Sequence, residues 1–313
     1  MKKLLFKIIL IVLASVLGLV LLVLGGLNIA KFVIYPDYYG MKTNVCTNPG
    51  LGDGFVCQGI CADDESGKII ISGYMSDHSA SRLYVTDKEN NSYFVSLSID
   101  GEIYNGHAGG VATHGGNVYV SSDDAVHILS LDKLLSAQNG ETLEFERICP
   151  VNNQGSFVFS NDDHLYVGEF HDGKDYITDH IYDTPDGKFH AIVSRYSYDD
   201  LTNPDKVYSI PNKVQGFCIT DDGKVILSTS YGLADSYYYV YTEADAINSG
   251  LTLDGAPVYY LNGCEREIKG PAMAEGLDIY DGKVITLSES ASNKYIFGKL
   301  FFADKIVTLD FKK

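Results

Sequence analysis

The chain has 313 residues, 45% of them hydrophobic, with 24 Lys+Arg against 41 Asp+Glu and a formal net charge of −17. Residues 1–43 hold five lysines and one acid, so residues 44–313 carry 19 basic and 40 acidic side chains, a net −21. That balance excludes a nucleic-acid binder, which must neutralise phosphates, and sets the domain's average charge against an anionic membrane surface. It leaves cations or neutral polar molecules as partners, and it also serves solubility.

In chain order, Lys2, Lys3 and Lys7 precede an almost unbroken apolar run over residues 8–30, interrupted only by Gly18, Gly25, Gly26 and Asn28. A bilayer core needs roughly 20 apolar residues in helical form, whereas a cleaved signal has a core of about 7–15 followed by a small-residue site. The run therefore reads as an uncleaved signal-anchor. Its basic flank favours a cytoplasmic N-terminus. The expected organisation is a tail over 1–7, a transmembrane helix over 8–30, a linker over 31–43 and a folded extracytoplasmic domain over 44–313, held at the cell membrane by a single pass.

The domain is internally repetitive. Five segments share a polar residue, a glycine, a short strand, an Asp/Gly/Asn-rich turn and a second strand: Cys57-Gln-Gly-Ile-Cys-Ala, His107-Ala-Gly-Gly-Val-Ala, Asn153-Gln-Gly-Ser-Phe-Val, Val214-Gln-Gly-Phe-Cys-Ile and Ala274-Glu-Gly-Leu-Asp-Ile. Their glycines, Gly59, Gly110, Gly155, Gly216 and Gly276, recur every 45 to 61 residues. Repeats of about 40–50 residues holding four strands each are propeller blades. The predicted fold is an all-β, five-bladed β-propeller, with the long third and fourth units leaving room for a sixth blade. Third strands are expected at Leu83, Val126, Ile192 and Tyr238, and fourth strands from Phe94, Leu143, Val207 and Val258. The fifth unit ends early, after Ile306-Val-Thr-Leu, and residues 40–46 are expected to supply its missing outer strand, since an unpaired edge invites aggregation. Short helical turns are expected around 131–137 and 243–248.

All six cysteines follow the apolar run. Cys61 and Cys218 share a repeat position and read as small core residues; Cys46 with Cys57, or either with Cys264, is the disulfide to test.

The first strand of a propeller blade lines the central channel, so the residue before each glycine stands near one mouth. This places Gln58, His107, Gln154, Gln215 and Glu275 in one ring. Three amides, an imidazole and a carboxylate suit a polyhydroxylated or amide-bearing ligand. Glu275 and His107 are the members able to move a proton. The second strands end in Ser72, Ser121, Glu169, Ser228 and Glu289, at the opposite rim or beside the first ring according to register; Glu275 and Glu289 are the candidate metal ligands. The blade-three insertion, from His171 to His190, is rich in Asp and His and reads as a lid or as a loop for a divalent cation.

The stretch Phe55-Val-Cys-Gln-Gly-Ile, followed by Ile71-Ser-Gly-Tyr-Met-Ser-Asp-His-Ser-Ala-Ser, resembles the opening of five-bladed glutamine cyclotransferases, and Glu275-Gly-Leu with Leu287-Ser-Glu-Ser echoes it. The family's glutamate after the second strand is replaced in blade one by Ser72-Gly73 and appears only as Glu289. Glu275-Gly-Leu-Asp is also similar to gluconolactonase-like and strictosidine-synthase-like propellers, a resemblance that implies calcium at Glu275; their other ligands are not matched here. The leading expectation is a membrane-anchored module that binds a polar small molecule, glycan or protein at the channel mouth. The alternative is a propeller lactonase, hydrolase or cyclotransferase-like enzyme using Glu275 and His107, with calcium as its cofactor.

Overall fold

The computed structural model describes residues 2–295, 297–298 and 303–312. Helix α1 (Lys2–Ile34) is apolar along almost its whole length, and its Lys3–Ile34 portion is long and apolar enough to cross a membrane. Beyond it the chain is a five-bladed β-propeller.

Each blade is an antiparallel sheet of four strands numbered outward from the channel. Blade 1 is Phe55–Asp63, Lys68–Met75, Arg82–Thr86 and Tyr93–Ile99; blade 2 is Gly110–His114, Asn117–Ser122, Ala125–Ser130 and Arg147–Pro150. Blade 3 is Phe157–Ser160, His164–Gly168, Ala191–Ser197 and Lys206–Ile210; blade 4 is Val214–Ile219, Lys224–Thr229, Ser236–Thr242 and Arg266–Gly270. Blade 5 takes Ala274–Tyr280, Lys283–Ser288 and Lys305–Leu309 from the C-terminal end of the chain. Its outer strand is Lys42–Thr47, paired antiparallel with Lys305–Leu309, so the N-terminal part of the domain closes the ring as expected.

Two fourth strands differ from expectation. The segment around Leu143 (Glu141–Glu144) runs parallel to the outer strand of blade 1, and Ala256–Tyr260 runs parallel to that of blade 3. The true outer strands of blades 2 and 4 follow them, at Arg147–Pro150 and Arg266–Gly270. After its third strand, the chain of an even-numbered blade thus crosses back over the preceding blade, covers that edge, and returns to finish its own. An alternating apolar segment carries no mark of which neighbour it pairs with, which is why sequence placed these two wrongly. The expected helical turns are present as α3 (Leu131–Ser136), capped by Ser130 Oγ on the Lys133 amide, and a 3₁₀ turn at Glu243–Asp245.

Of residues 31–43, read from sequence as a linker, 31–34 continue α1, 35–41 are folded against the ring and 42–43 begin the outer strand of blade 5. Helix α2 (Pro36–Met41) follows α1 after a break at Tyr35, and Pro36, which has no backbone donor to continue α1, stands at its first position. Tyr35, Tyr38 and Met41 are buried, and Tyr38 stacks on Tyr238 of blade 4 with ring centroids 6.0 Å apart. All six cysteines are free thiols, so no pairing among Cys46, Cys57 and Cys264 forms. Cys61 and Cys218 are fully buried, as the repeat implies, and Cys57 Sγ accepts a hydrogen bond from Asn48 Nδ2 at 3.0 Å.

The repeat glycines hold the channel together. A Cβ at Gly59 would lie 2.5 Å from the Val111 amide nitrogen of blade 2, and one at Gly276 would lie 3.0 Å from the Gln58 carbonyl oxygen of blade 1. Neighbouring blades meet there backbone to backbone. Blade 3 solves the same problem in reverse. Gly155 lies ahead of the strand with φ +59°, and Phe157 stands at the anchoring position instead, opposite Gly168, where any Cβ would strike the Phe157 ring. The alignment at Gly155 is therefore two residues out of register in space.

Candidate functional site

Antiparallel pairing puts the end of each second strand beside the start of the first, so both sets of polar residues meet at one mouth. In blades 1, 4 and 5 the ladder slips at the polar residue itself. Cys57 pairs with Gly73 but Gly59 with Ser72; Val214 pairs with Thr229 but Gly216 with Ser228; Ala274 pairs with Ser288 but Leu277 with Thr286. Gln58, Gln215 and Glu275 are thus β-bulge residues. A bulge re-aims its side chain away from the regular alternation. This is the local cause of the recurring polar–Gly pair.

A cavity of about 710 Å³ opens at this mouth. Gln58, His107, Gln154 and Gln215 all line it, together with Glu289. Glu275 is 2% exposed and is not part of the wall. Its Oε1 has no hydrogen-bond partner among the described residues. Burial first, then the neighbouring Glu289 charge, push its carboxyl well above the usual range. A carboxylate buried without partners is costly, so Glu275 is held as the neutral acid.

The cavity floor is one connected network. Gln58 Nε2 donates to Glu289 Oε2 at 2.9 Å and to the Cys57 carbonyl at 2.9 Å. Gln58 Oε1 accepts from His107 Nε2 at 2.7 Å, which assigns the imidazole proton to Nε2. Tyr295 OH donates to the same Glu289 Oε2 at 3.2 Å, Tyr74 OH lies 3.4 Å from Tyr295 OH, and Lys294 Nζ donates to Tyr74 OH. Burial raises Glu289 to about 7, against the opposing pull of Tyr295, Gln58 and Lys294. Burial lowers His107, and the Lys294 charge adds to it. At neutral pH the floor therefore holds a neutral imidazole and a neutral Glu275, with Glu289 raised well above an ordinary carboxyl by burial. The Tyr74 ring packs tilted on His107, 4.6 Å between centroids.

The wall toward blade 2 is Asp123, which accepts from Tyr104 OH at 2.7 Å and Ser122 Oγ at 3.1 Å. The wall toward blade 3 is the insertion, residues 169–190. Gln154 Nε2 donates to the Ile177 carbonyl at 2.9 Å, bringing Tyr176 and Ile177 over the mouth. Glu169, also 1% exposed, is spent on anchoring this insertion. Its Oε1 lies 2.7 Å from His180 Nδ1 and accepts from the Ile192 amide at 3.2 Å. Burial lowers His180, but the Glu169 carboxylate outweighs it and the imidazole ends above its ordinary value. Among the described residues, no group of three or more His, Cys, Asp or Glu is placed to hold a metal ion, in this insertion or around Glu275 and Glu289.

Sequence reasoning gathered the amides and the imidazole but missed Tyr74, Asp123, Tyr231, Lys294 and Tyr295, all on the cavity wall. Their signal was positional: Tyr74 lies near the end of the second strand of blade 1, and the others lie in connectors that leave second strands.

No protein-family model and no curated protein matches the chain. Solved structures similar to it include a PQQ-bound aldose sugar dehydrogenase from Streptomyces coelicolor, at 13% identity and TM-score 0.47 over 85% of this chain and 95% of that one. A GH43 β-xylosidase/α-arabinofuranosidase from a compost metagenome overlaps at 14% identity and TM-score 0.46, covering 86% and 94%. For a hydrazine synthase of Kuenenia stuttgartiensis the values are 11% and 0.40, with 74% of this chain spanning 55% of that one. Likeness at this level transfers no function, and the propeller assignment stands on the five sheets themselves.

Proposed function

We propose that this is a membrane-anchored propeller, with its domain outside the cytoplasm, that binds a neutral polyhydroxylated or amide-bearing molecule in the channel-mouth cavity. One observation carries the reading: Gln58, His107, Gln154, Gln215 and Glu289 converge on a single cavity of about 710 Å³ that also presents the Tyr74, Tyr231 and Tyr295 rings. Amides and a neutral imidazole both donate and accept, and Tyr offers an apolar face with a polar tip, the combination that grips a sugar-like surface without needing charge. The three lysines ahead of the apolar run support the orientation.

The test is a ligand screen by thermal shift on the full chain in detergent, against neutral glycans and amides, repeated with Gln215→Ala. A stabilising hit lost in Gln215→Ala, with the unliganded melting temperature unchanged, is the expected result. No hit from either class, or a hit indifferent to Gln215, overturns the proposed site.

A second reading, hydrolytic or transfer chemistry, is favoured by the Glu275–Glu289 pair. A carboxyl held up to about 7 at a cavity floor is suited to general acid–base work near neutral pH. Glu289 takes that role rather than Glu275, which does not reach the cavity, and His107 is placed to orient Gln58. With a bound ligand in hand, incubation with the wild type and with Glu289→Gln separates the readings: an enzyme converts the ligand and loses turnover in the variant, whereas a binder returns it unchanged.

A further inference from the structure

Ten large apolar side chains outside α1 are exposed among the described residues, and six of them stand at the cavity end of the ring: Tyr176, Ile177, Ile181, Tyr231, Leu233 and Phe297, between 39% and 69% exposed. All six lie in connectors from second to third strands, in blades 3, 4 and 5. The corresponding connectors of blades 1 and 2 are polar, Ser76-Asp77-His78-Ser79 and Asp123-Asp124. Basic side chains accompany the apolar set. Lys213 Nζ sits 5.5 Å from the Tyr231 ring centre and Lys294 Nζ 5.3 Å from that of Tyr295. Acids are found at both ends: the blade-3 insertion holds Asp172, Asp175, Asp179, Asp183 and Asp186 among its apolar side chains, and the opposite end is acidic in its tight turns. Its inner hairpin turns carry Asp63-Asp64-Glu65, Asp162-Asp163, Asp221-Asp222 and Asp281.

The membrane-length helix joins the ring on the apolar side. Asn28 and Lys31, in the last turns of α1, share a crevice with Ala303, Asp304 and Lys305, where the third strand of blade 5 begins at the cavity end. Tyr35 OH donates at 2.7 Å to Asp235, which precedes the third strand of blade 4 at the same end. The folded stretch 35–41 leaves no slack between span and ring.

We infer that the propeller docks with its cavity face on the bilayer that α1 spans, the apolar connectors of blades 3–5 seated in the headgroup region. Aromatic and aliphatic side chains flanked by Lys are the composition that lies in that interface. The acids of the inner hairpin turns then point away from the bilayer. The average charge of the domain argues against membrane contact, and the blade-3 insertion itself carries Asp172, Asp175, Asp179, Asp183 and Asp186, so the docking rests on the apolar side chains and not on attraction to anionic lipid. With only blades 3–5 seated, the polar connectors of blades 1 and 2 keep one side of the mouth open to water. The cavity thus samples molecules held at or near the membrane surface. This docking rests on α1 being a span, part of the function proposed above.

The chain contains no tryptophan, so single substitutions are clean probes. The experiment places Leu233→Trp or Ile177→Trp at the rim, and Ile148→Trp or Leu251→Trp on the outer edges of blades 2 and 3, in full-length protein reconstituted into phosphatidylcholine vesicles with brominated acyl chains. Rim probes should lose roughly half their emission relative to unbrominated vesicles, as expected for side chains about 5–10 Å into the headgroup boundary, while the edge probes keep theirs. Should either rim variant fail to fold, Phe297→Trp reads the same face. Carbonate extraction of the same vesicles reads the span separately. Protein released by carbonate sinks the span and the docking together; protein retained with unquenched rim probes, or with all probes quenched alike, sinks the docking alone.

Discussion

Replacing Glu289 by glutamine should change stability in a pH-dependent way whose sign follows from burial. The folded protein holds this carboxyl at about 7 against an ordinary 4.5, so between those values the native state binds more protons than the unfolded chain. Stability contributed by the protonated form is therefore complete below about pH 4.5 and is lost as pH rises through about 7. Each pH unit of that separation is worth about 1.4 kcal/mol, giving a ceiling of about 3 kcal/mol lost by the wild type above the window. Glutamine mimics the protonated acid. Both local donors, Gln58 Nε2 and Tyr295 OH, converge on Oε2 alone, so the amide can keep its oxygen there and turn its nitrogen to the Oε1 side. At about pH 4 the variant should match the wild type, and at about pH 8.5 it should be more stable by roughly 1–3 kcal/mol. The assay is urea unfolding of the full chain in detergent at both pH values, read as the midpoint at constant slope. A variant destabilised equally at both would refute the reasoning, because it would mean that the hydrogen bonds, not the buried charge, dominate at this position.

Gly59→Ala should destabilise the ring by about 1–3 kcal/mol, because the added carbon meets the Val111 backbone at 2.5 Å and a backbone cannot rotate aside as a side chain can. Gly52→Ala, with open space around it, should be nearly neutral, and equal melting temperatures for the two would contradict the close-approach account. Tyr38→Ala removes a buried ring stacked on Tyr238, so it should cost about 3 kcal/mol in chemical unfolding even though the residue lies only four positions beyond α1. A cost near zero would show that α2 is a tether rather than part of the domain.

Much of this architecture is legible in the sequence because it rests on local chemistry. Asp222-Gly223 and Asp281-Gly282 mark hairpins whose glycines take positive φ, 75° and 67°, and the polar–Gly pairs mark bulges at the channel. The closing strand was legible by elimination, since a fifth unit with three strands needs a fourth from somewhere. What depended on partner choice was not legible. Glu141–Glu144 and Ala256–Tyr260 alternate as any outer strand does, yet pair in parallel with the preceding blade. Blade 3 exchanges the glycine between strands, Phe157 against Gly168, and a search that follows glycine along one strand finds Gly155 instead. The site shows the same division. The amides could be gathered by repeat position, but whether Glu275 or Glu289 reaches the cavity depends on the path of the blade-5 bulge, which no composition records.

The two ends of the channel differ for a reason built into the repeat. The acidic end is made of inner hairpins, where tight turns demand Gly, Asn and Asp, so acidity there follows in part from backbone geometry. The cavity end is made of the connectors between second and third strands, which vary freely in length and character, from the two-residue Asp123-Asp124 turn of blade 2, whose residues both take positive φ, to the long connectors of blades 3 and 5. In blade 3 that connector is a 22-residue insertion over residues 169–190, tied down by Glu169 to His180 and by Gln154 to the Ile177 carbonyl. Glu169 and Gln154 belong to the repeat pattern, yet they are used here to hold a loop over the mouth. A blade that uses two of its polar residues to hold its connector in place leaves Gln58, His107, Gln215 and Glu289 to face a ligand under the proposed binding function. Under that proposal, ligand-size selectivity should follow the Glu169–His180 tether, and polar selectivity the opposite wall.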